Sequence, residues 1–152
     1  YIDFVIGSTW ESRNYPKEKY AQVANAIKKD CIVVWGNEQE KERAEWMSCE
    51  SNYIQVMPKL SLDDLKHVID HASLLIGNDT GPSHMSWALN IPSIILFGPT
   101  PIERTFQTPT NKVLKSSSKI NHMKLNKKDL SIKEIKVSDI VKIAKELLRV
   151  SL

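Results

Sequence analysis

The chain predicts an α/β fold, a Rossmann-like doubly wound parallel sheet, and three observations carry that prediction. Short apolar runs recur along residues 2–97, at 2–7, 31–35, 53–57, 73–77 and 93–97. Helical patterns separate them. The runs are continuous rather than alternating, as in strands covered on both faces. Right-handed crossovers between such strands give a sheet with helices on both sides.

The elements follow in order. Residues 2–7 (Ile-Asp-Phe-Val-Ile-Gly) read as the first strand. Residues 16–29 read as a helix with Pro16 in its first turn and Tyr20, Val23, Ala24 and Ile27 on one face. Cys31-Ile32-Val33-Val34-Trp35 is a strand closed by Gly36, and the charged segment 38–49 is helical. After the strand at 53–57, Ser61-Leu62-Asp63-Asp64 resembles a capping box that opens a helix to about residue 71. The strand at 73–77 runs into a helix at 82–89, with Gly81 as its N-cap and Pro82 at its first position. Beyond the strand at 93–97, Pro99, Pro101 and Pro109 predict a stiff loop. Residues 112–115 suit a sixth, edge strand, residues 116–133 look irregular, and 137–149 form a last amphipathic helix within the C-terminal segment 137–152.

Composition bounds the function. The chain has 152 residues, 41% hydrophobic and 26% charged, which suits one domain with a full core. No apolar run approaches the roughly 18–20 residues that span a bilayer. The chain opens on Tyr1 already inside a strand, so it reads as a domain of a longer protein. Cys31 and Cys49 form no metal-type pair and read as buried, reduced thiols, which fits a cytoplasmic location. The net charge is +3, with lysines crowded between Lys112 and Lys136. That crowd reads as a solvated loop, or else as attraction to an anionic membrane surface. It lacks the interleaved aromatics expected for nucleic acid.

In open parallel sheets, ligands bind beyond the carboxyl ends of the strands. There this chain delivers Ser8, Thr9 and Arg13 after the first strand, and Glu38 and Glu40 after the second. The third strand delivers Lys59 and Leu60, the fourth Asp79, Thr80 and Gly81, and the fifth Gly98 and Thr100. A glycine opening a helix lets a phosphate reach backbone amides, and the helix dipole favours the anion. Arg13 offers a charged donor or is a solvated arginine. Glu40 could accept from ribose hydroxyls, with Glu38 its competitor, or is an exposed charge. His84 could donate to phosphate or sugar oxygen. Asp79 orients a ligand hydroxyl or braces the turn. Asp63 and Asp64 are adjacent and do not face each other, and no Asp-x-Asp pair ends a strand, so no metal is expected.

Asp79-Thr80-Gly81-Pro82-Ser83-His84, followed by Ala88-Leu89, Pro92 and Leu96-Phe97-Gly98-Pro99-Thr100, resembles the signature of the bacterial lipopolysaccharide heptosyltransferases, glycosyltransferase family 9. Val34-Trp35-Gly36 with Glu38 and Glu40, Met57-Pro58-Lys59-Leu60-Ser61, and Ser8-Thr9 followed by Tyr15-Pro16 agree with it, so the resemblance covers roughly residues 4–105. It implies the C-terminal, donor-binding half of a GT-B enzyme, spanning residues 1–152, with the N-terminal acceptor domain and its catalytic aspartate lying outside this chain. The implied donor is ADP-L-glycero-β-D-manno-heptose. The implied acceptor is the Kdo region of the lipopolysaccharide inner core, on a lipid A-Kdo type molecule reached through the other domain. Inverting, metal-independent transfer and peripheral inner-membrane contact from the cytoplasm are implied with them. Carried over by position, Thr80 and Gly81 hold the diphosphate with help from Ser8, Thr9 and a basic residue. Glu40 binds ribose, Leu60 lines the adenine pocket, and Asp79 and His84 lie near the heptose. The family has Lys in the first loop, where this chain offers Arg13. Another heptosyltransferase or nucleotide-sugar transferase, or a nucleotide-binding module without catalysis, are the rival readings.

Overall fold

The computed structural model describes residues 1–98, 107–116 and 128–150. Its centre is a six-stranded, wholly parallel sheet in the order β3-β2-β1-β4-β5-β6. The strands are β1 (Ile2–Val5), β2 (Cys31–Val34), β3 (Ile54–Val56), β4 (Leu74–Asn78), β5 (Ser93–Phe97) and β6 (Asn111–Lys115). The helices are α1 (Lys17–Ile27), α2 (Glu38–Glu50), α3 (Leu62–Asp70), α4 (Gly81–Ala88) and α5 (Val137–Val150). This is the doubly wound order expected of the sequence.

The two faces of the sheet explain the strand composition. On one face Ile2, Phe4, Val33, Leu74, Ile76, Ile94 and Leu96 pack under Tyr20, Val23 and Ala24 of α1, Ala44 and Met47 of α2, and Ile140, Ala144 and Leu147 of α5. On the other, Val5, Val34 and Leu75 meet Ile69 of α3, flanked by Leu65, Met85 and Leu89. Strands buried on both sides read as near-continuous apolar runs rather than as alternation.

Several local expectations shift. Pro16 precedes α1 as its N-cap, with φ −58° and ψ 136°, rather than lying inside the first turn. Helix α4 begins one residue earlier than expected. Thr80 is its N-cap, extended, with its carbonyl accepting from the His84 amide, and Gly81 is its first residue. Ser61 caps α3 as the sequence predicts, accepting from the Asp64 amide at 3.1 Å. Short 3₁₀ turns occupy Glu11–Arg13 and Ser131–Glu134, the second at the end of the stretch 116–133 expected to be irregular. Cys31 is buried and burial pushes its thiol up to about 12, but Cys49 is exposed. Pro99, Thr100, Pro101, Lys119, Lys124 and Lys127 lie outside the described residues.

One core residue is unexpected. Asp3, on the central strand, is fully buried, and among the described residues no donor reaches either carboxylate oxygen. Burial raises its pKa to about 7.

Candidate functional site

Strands β1 and β4 are neighbours, yet their connections leave in opposite directions, β1 to β2 and β4 to β5. Their carboxyl ends therefore open a crevice at the topological switch point, where ligands of this fold class sit. One wall is the Gly7–Asn14 loop. It is pinned by Asn78, the last residue of β4, which bonds at both ends of the loop. Ser8 and Thr9 lie on this loop, and Arg13 ends its 3₁₀ turn with its guanidinium 4.1 Å from the Trp10 ring centroid. Stacking on indole holds the cation in place.

The second wall is the start of α4. Gly77 allows a close approach here, because a Cβ at that position would stand 2.6 Å from Ser83 Oγ and 2.8 Å from Val5 Cβ. The Ser83 hydroxyl donates to the Asn78 carbonyl at 2.6 Å, closing the turn from inside. Among the described residues no protein acceptor meets the Gly81 or Ser83 amide. Pro82 has no amide to satisfy. Thr80 Oγ1 and Arg13 Nε are both buried without a protein partner among the described residues. Such orphaned donors are rare in native proteins and mark a place for a ligand or water. Their character, two amides, a hydroxyl and a guanidinium, suits an anion.

The third wall comes from β2 and α2. Glu40, at the third position of α2, accepts from the Gly36 amide at 2.6 Å and from Asn37 Nδ2 at 3.2 Å, while Asn37 caps the helix at 2.9 Å. A Cβ built on Gly7 would fall on the Glu40 carboxylate, so the glycine makes room for this side chain across the crevice. Trp35 is fixed by its indole N–H donating to the Met57 carbonyl at 2.6 Å. The walls enclose a cavity of about 420 Å³, lined by apolar Val5, Val34, Trp35 and Leu65 on one side and by the polar groups above on the other. That size and mixture are usual for a small-molecule site.

Of the residues singled out in the sequence, Ser8, Thr9, Arg13, Glu40, Asp79, Thr80 and Gly81 line this one cavity. Leu60 does not. It packs against the apolar cluster of Val5, Val34, Ile69 and Leu75, and Trp35 and Leu65 present the apolar wall instead. His84 also stays off the cavity lining. Its Nε2 donates to Asp79 Oδ1 at 2.8 Å, and its ring lies 5.3 Å from that of Trp87. Asp79 therefore braces the turn while still facing the cavity. Glu38 is exposed and off the lining. Sequence reasoning missed Trp35 and Leu65 as lining and Asn78 as the pin. Trp35 had one signal, its place at the carboxyl end of an apolar strand. Among the described residues no three His, Cys, Asp or Glu side chains group to hold a metal ion.

A family model described as glycosyltransferase family 9 (heptosyltransferase) matches residues 1–136. Lipopolysaccharide heptosyltransferase 1 of Campylobacter coli is 39% identical over 93% of this chain, which covers 45% of that relative. The enzyme of the same name from Escherichia coli K12 is 31% identical over 66% of this chain and 32% of its own length. Among solved structures, E. coli heptosyltransferase WaaC with ADP superposes with a TM-score of 0.82 at 22% identity, covering 97% of this chain and 44% of the other. At that identity the likeness is one of fold. The chain spans less than half the length of the relatives it matches.

Proposed function

Because this chain belongs to glycosyltransferase family 9, the heptosyltransferase family, we propose that it is the C-terminal, donor-binding domain of a GT-B enzyme of the heptosyltransferase I type. The reaction is transfer of heptose from ADP-L-glycero-β-D-manno-heptose to the Kdo region of the lipopolysaccharide inner core. The observation that carries the proposal is the set of unpartnered donors around the crevice. Among the described residues Thr80 Oγ1 and Arg13 Nε are buried without partners, beside the Gly81 and Ser83 amides, which no described acceptor meets.

In this reading the diphosphate lies across the start of α4, meeting the Gly81 and Ser83 amides, the Thr80 hydroxyl and Arg13, with Ser8 and Thr9 at the rim. The helix dipole adds to the attraction. Adenine takes the apolar wall of Val34, Trp35 and Leu65, and Glu40 accepts from the ribose. Asp79, held by His84, faces the heptose. The acceptor hydroxyl attacks the anomeric carbon with inversion, and a carboxylate of the other domain takes its proton. Charge grows on the departing diphosphate, and donors fixed before the reaction stabilise it without reorganising. The lipid acceptor implies work at the cytoplasmic face of the inner membrane by peripheral contact. No helix among the described residues is long and apolar enough to cross a membrane.

The test is calorimetric titration of the whole protein with ADP and ADP-heptose, followed by transfer to a Kdo-bearing lipid A acceptor. Saturable binding of both nucleotides and heptose transfer are expected. The 152-residue chain alone is expected to bind ADP weakly and transfer nothing. A whole protein that takes up no ADP would overturn the proposal.

A further inference from the structure

We infer that Asn78 is a positioning residue that locks the loop carrying Ser8, Thr9 and Arg13 to the start of α4, so that the two halves of the diphosphate site keep one register before any ligand arrives. The inference rests on reading the crevice as a phosphate site.

Asn78 is fully buried at the end of β4. Its Nδ2 donates to the Ile6 carbonyl at 2.7 Å and to Asn14 Oδ1 at 3.3 Å. Its Oδ1 accepts from the Tyr20 hydroxyl at 2.8 Å and from the Tyr15 amide at 3.2 Å. A primary amide has two N–H donors and two lone pairs, and here every one is used. Three partners lie in the β1–α1 connection and the fourth, Tyr20, in the first turn of α1. Ile6 precedes the loop, Asn14 and Tyr15 end it, and Tyr20 anchors the helix beyond. Between Ile6 and Asn14 the only regular structure is a single 3₁₀ turn. One side chain thus ties both ends of the loop, and the chain continues from it through Asp79 to Thr80 and Gly81. Arg13 and Thr80 both line the cavity, one on each of the two segments that this tie joins.

A purely structural amide and a positioning amide predict different couplings. Loss of a structural amide lowers stability and weakens every ligand contact alike. Loss of a positioning amide frees the loop, so Arg13 contributes little afterwards while Thr80, on α4, contributes as before.

The experiment uses the whole protein with Asn78→Ala, Arg13→Ala and Thr80→Ala and their doubles, reading ADP affinity by calorimetry and amide hydrogen exchange without ligand. With Asn78→Ala, loop amides between Thr9 and Tyr15 are expected to exchange at least about 10-fold faster while Ile94–Leu96 in β5 keep their protection. Arg13→Ala is expected to weaken ADP about 10-fold in the parent and less than about 2-fold beside Asn78→Ala, whereas Thr80→Ala costs the same in both backgrounds. Should Asn78→Ala not fold, Tyr20→Phe, which removes one donor and keeps the ring, carries the same cycle with Arg13. Additive losses for Arg13, or unchanged loop exchange, overturn the role given to Asn78 while the phosphate reading stands. A parent protein that binds no ADP overturns the phosphate reading itself.

Discussion

Replacing Gly81 by Ala separates what the fold requires from what the ligand requires. Gly81 is the first residue of α4, its φ is negative, and a Cβ built on it meets nothing within 4 Å. Among the described residues nothing therefore calls for glycine. Alanine is favoured in helix interiors by about 0.8–1.0 kcal/mol, and the substitution also reduces the freedom of the unfolded chain. Each kcal/mol shifts Tm by about 2–4 °C for a domain of this size. Gly81→Ala should hold the melting temperature or raise it by a few degrees.

Binding should move the other way. The open space beside Gly81 is part of the cavity lining, and a methyl there stands where a phosphate must come to reach the amide. A hydrogen bond to a charged group is worth about 1.5–3 kcal/mol, which corresponds to roughly 10- to 150-fold in the dissociation constant for ADP. Gly77→Ala is the control, because its Cβ would stand 2.6 Å from Ser83 Oγ and 3.0 Å from the Val5 carbonyl oxygen. Overpacking of that kind costs about 1–3 kcal/mol, so Tm should fall. Melting curves and ADP titrations on the same samples read both effects. Gly81→Ala binding ADP like the parent would refute the approach of the diphosphate to this helix end. A drop of several degrees in its Tm would show that the fold itself needs the glycine.

Thr80→Ala should lower turnover of the whole enzyme by about 10²–10³ if its hydroxyl meets the departing diphosphate, with Tm nearly unchanged because that hydroxyl has no partner to lose among the described residues. Unchanged turnover would remove Thr80 from the mechanism. Transfer should persist in EDTA, since Arg13 and the α4 amides are assigned the diphosphate charge. Activity abolished by EDTA and restored by a divalent ion would reverse that assignment. Asp3 should give stability a slope with pH. Its folded pKa is about 7, against about 3.9 when unfolded. A raised folded value favours the native state fully below the unfolded pKa, and that contribution is lost as pH rises through 7. The loss between pH 4 and 7 is on the order of 4 kcal/mol. Asp3→Asn cannot ionise and should flatten this slope in urea unfolding between pH 5 and 8, and parallel pH profiles for the two proteins would refute the account.

The layered fold was legible because a parallel sheet covered on both faces writes itself as apolar runs between amphipathic helices. Cys49 was misread, although its spacing held the answer. It lies two residues past the buried Met47, about 200° around α2 and so on the solvent side. The start of α4 was ambiguous by one residue, because glycine suits both the cap and the first helical position. The crevice was legible as a set of strand ends, since the chain order of a doubly wound sheet dictates which loops meet. Its apolar wall was not. Leu60 lies in the segment before α3 and Leu65 on the helix, so which of them faces the cavity depends on how that segment and α3 settle against the sheet, and the sequence of α3 reports only that one side is apolar. Asn78 was hidden for a related reason. Its partners lie between 58 and 72 residues away in the chain, and no local spacing announces a buried amide.

The carboxylates of the crevice bear on how labour is divided in the proposed enzyme. A group that deprotonates an acceptor hydroxyl must reach it with an uncommitted lone pair. Glu40 already accepts from the Gly36 amide and from Asn37, and it sits at the helix start whose cap it completes. Asp79 accepts from His84. Both are held by donors of their own chain, which favours fixed acceptors for ligand hydroxyls over a mobile base. The donors, by contrast, are the groups without a partner among the described residues: two amides, one hydroxyl and one guanidinium nitrogen. An environment rich in unspent donors and poor in unspent acceptors stabilises negative charge. In glycosyl transfer that charge appears on the leaving diphosphate, whereas the proton is lost at the acceptor. The chemistry of this crevice thus matches the leaving-group half of the reaction, and the base belongs on the surface that faces it.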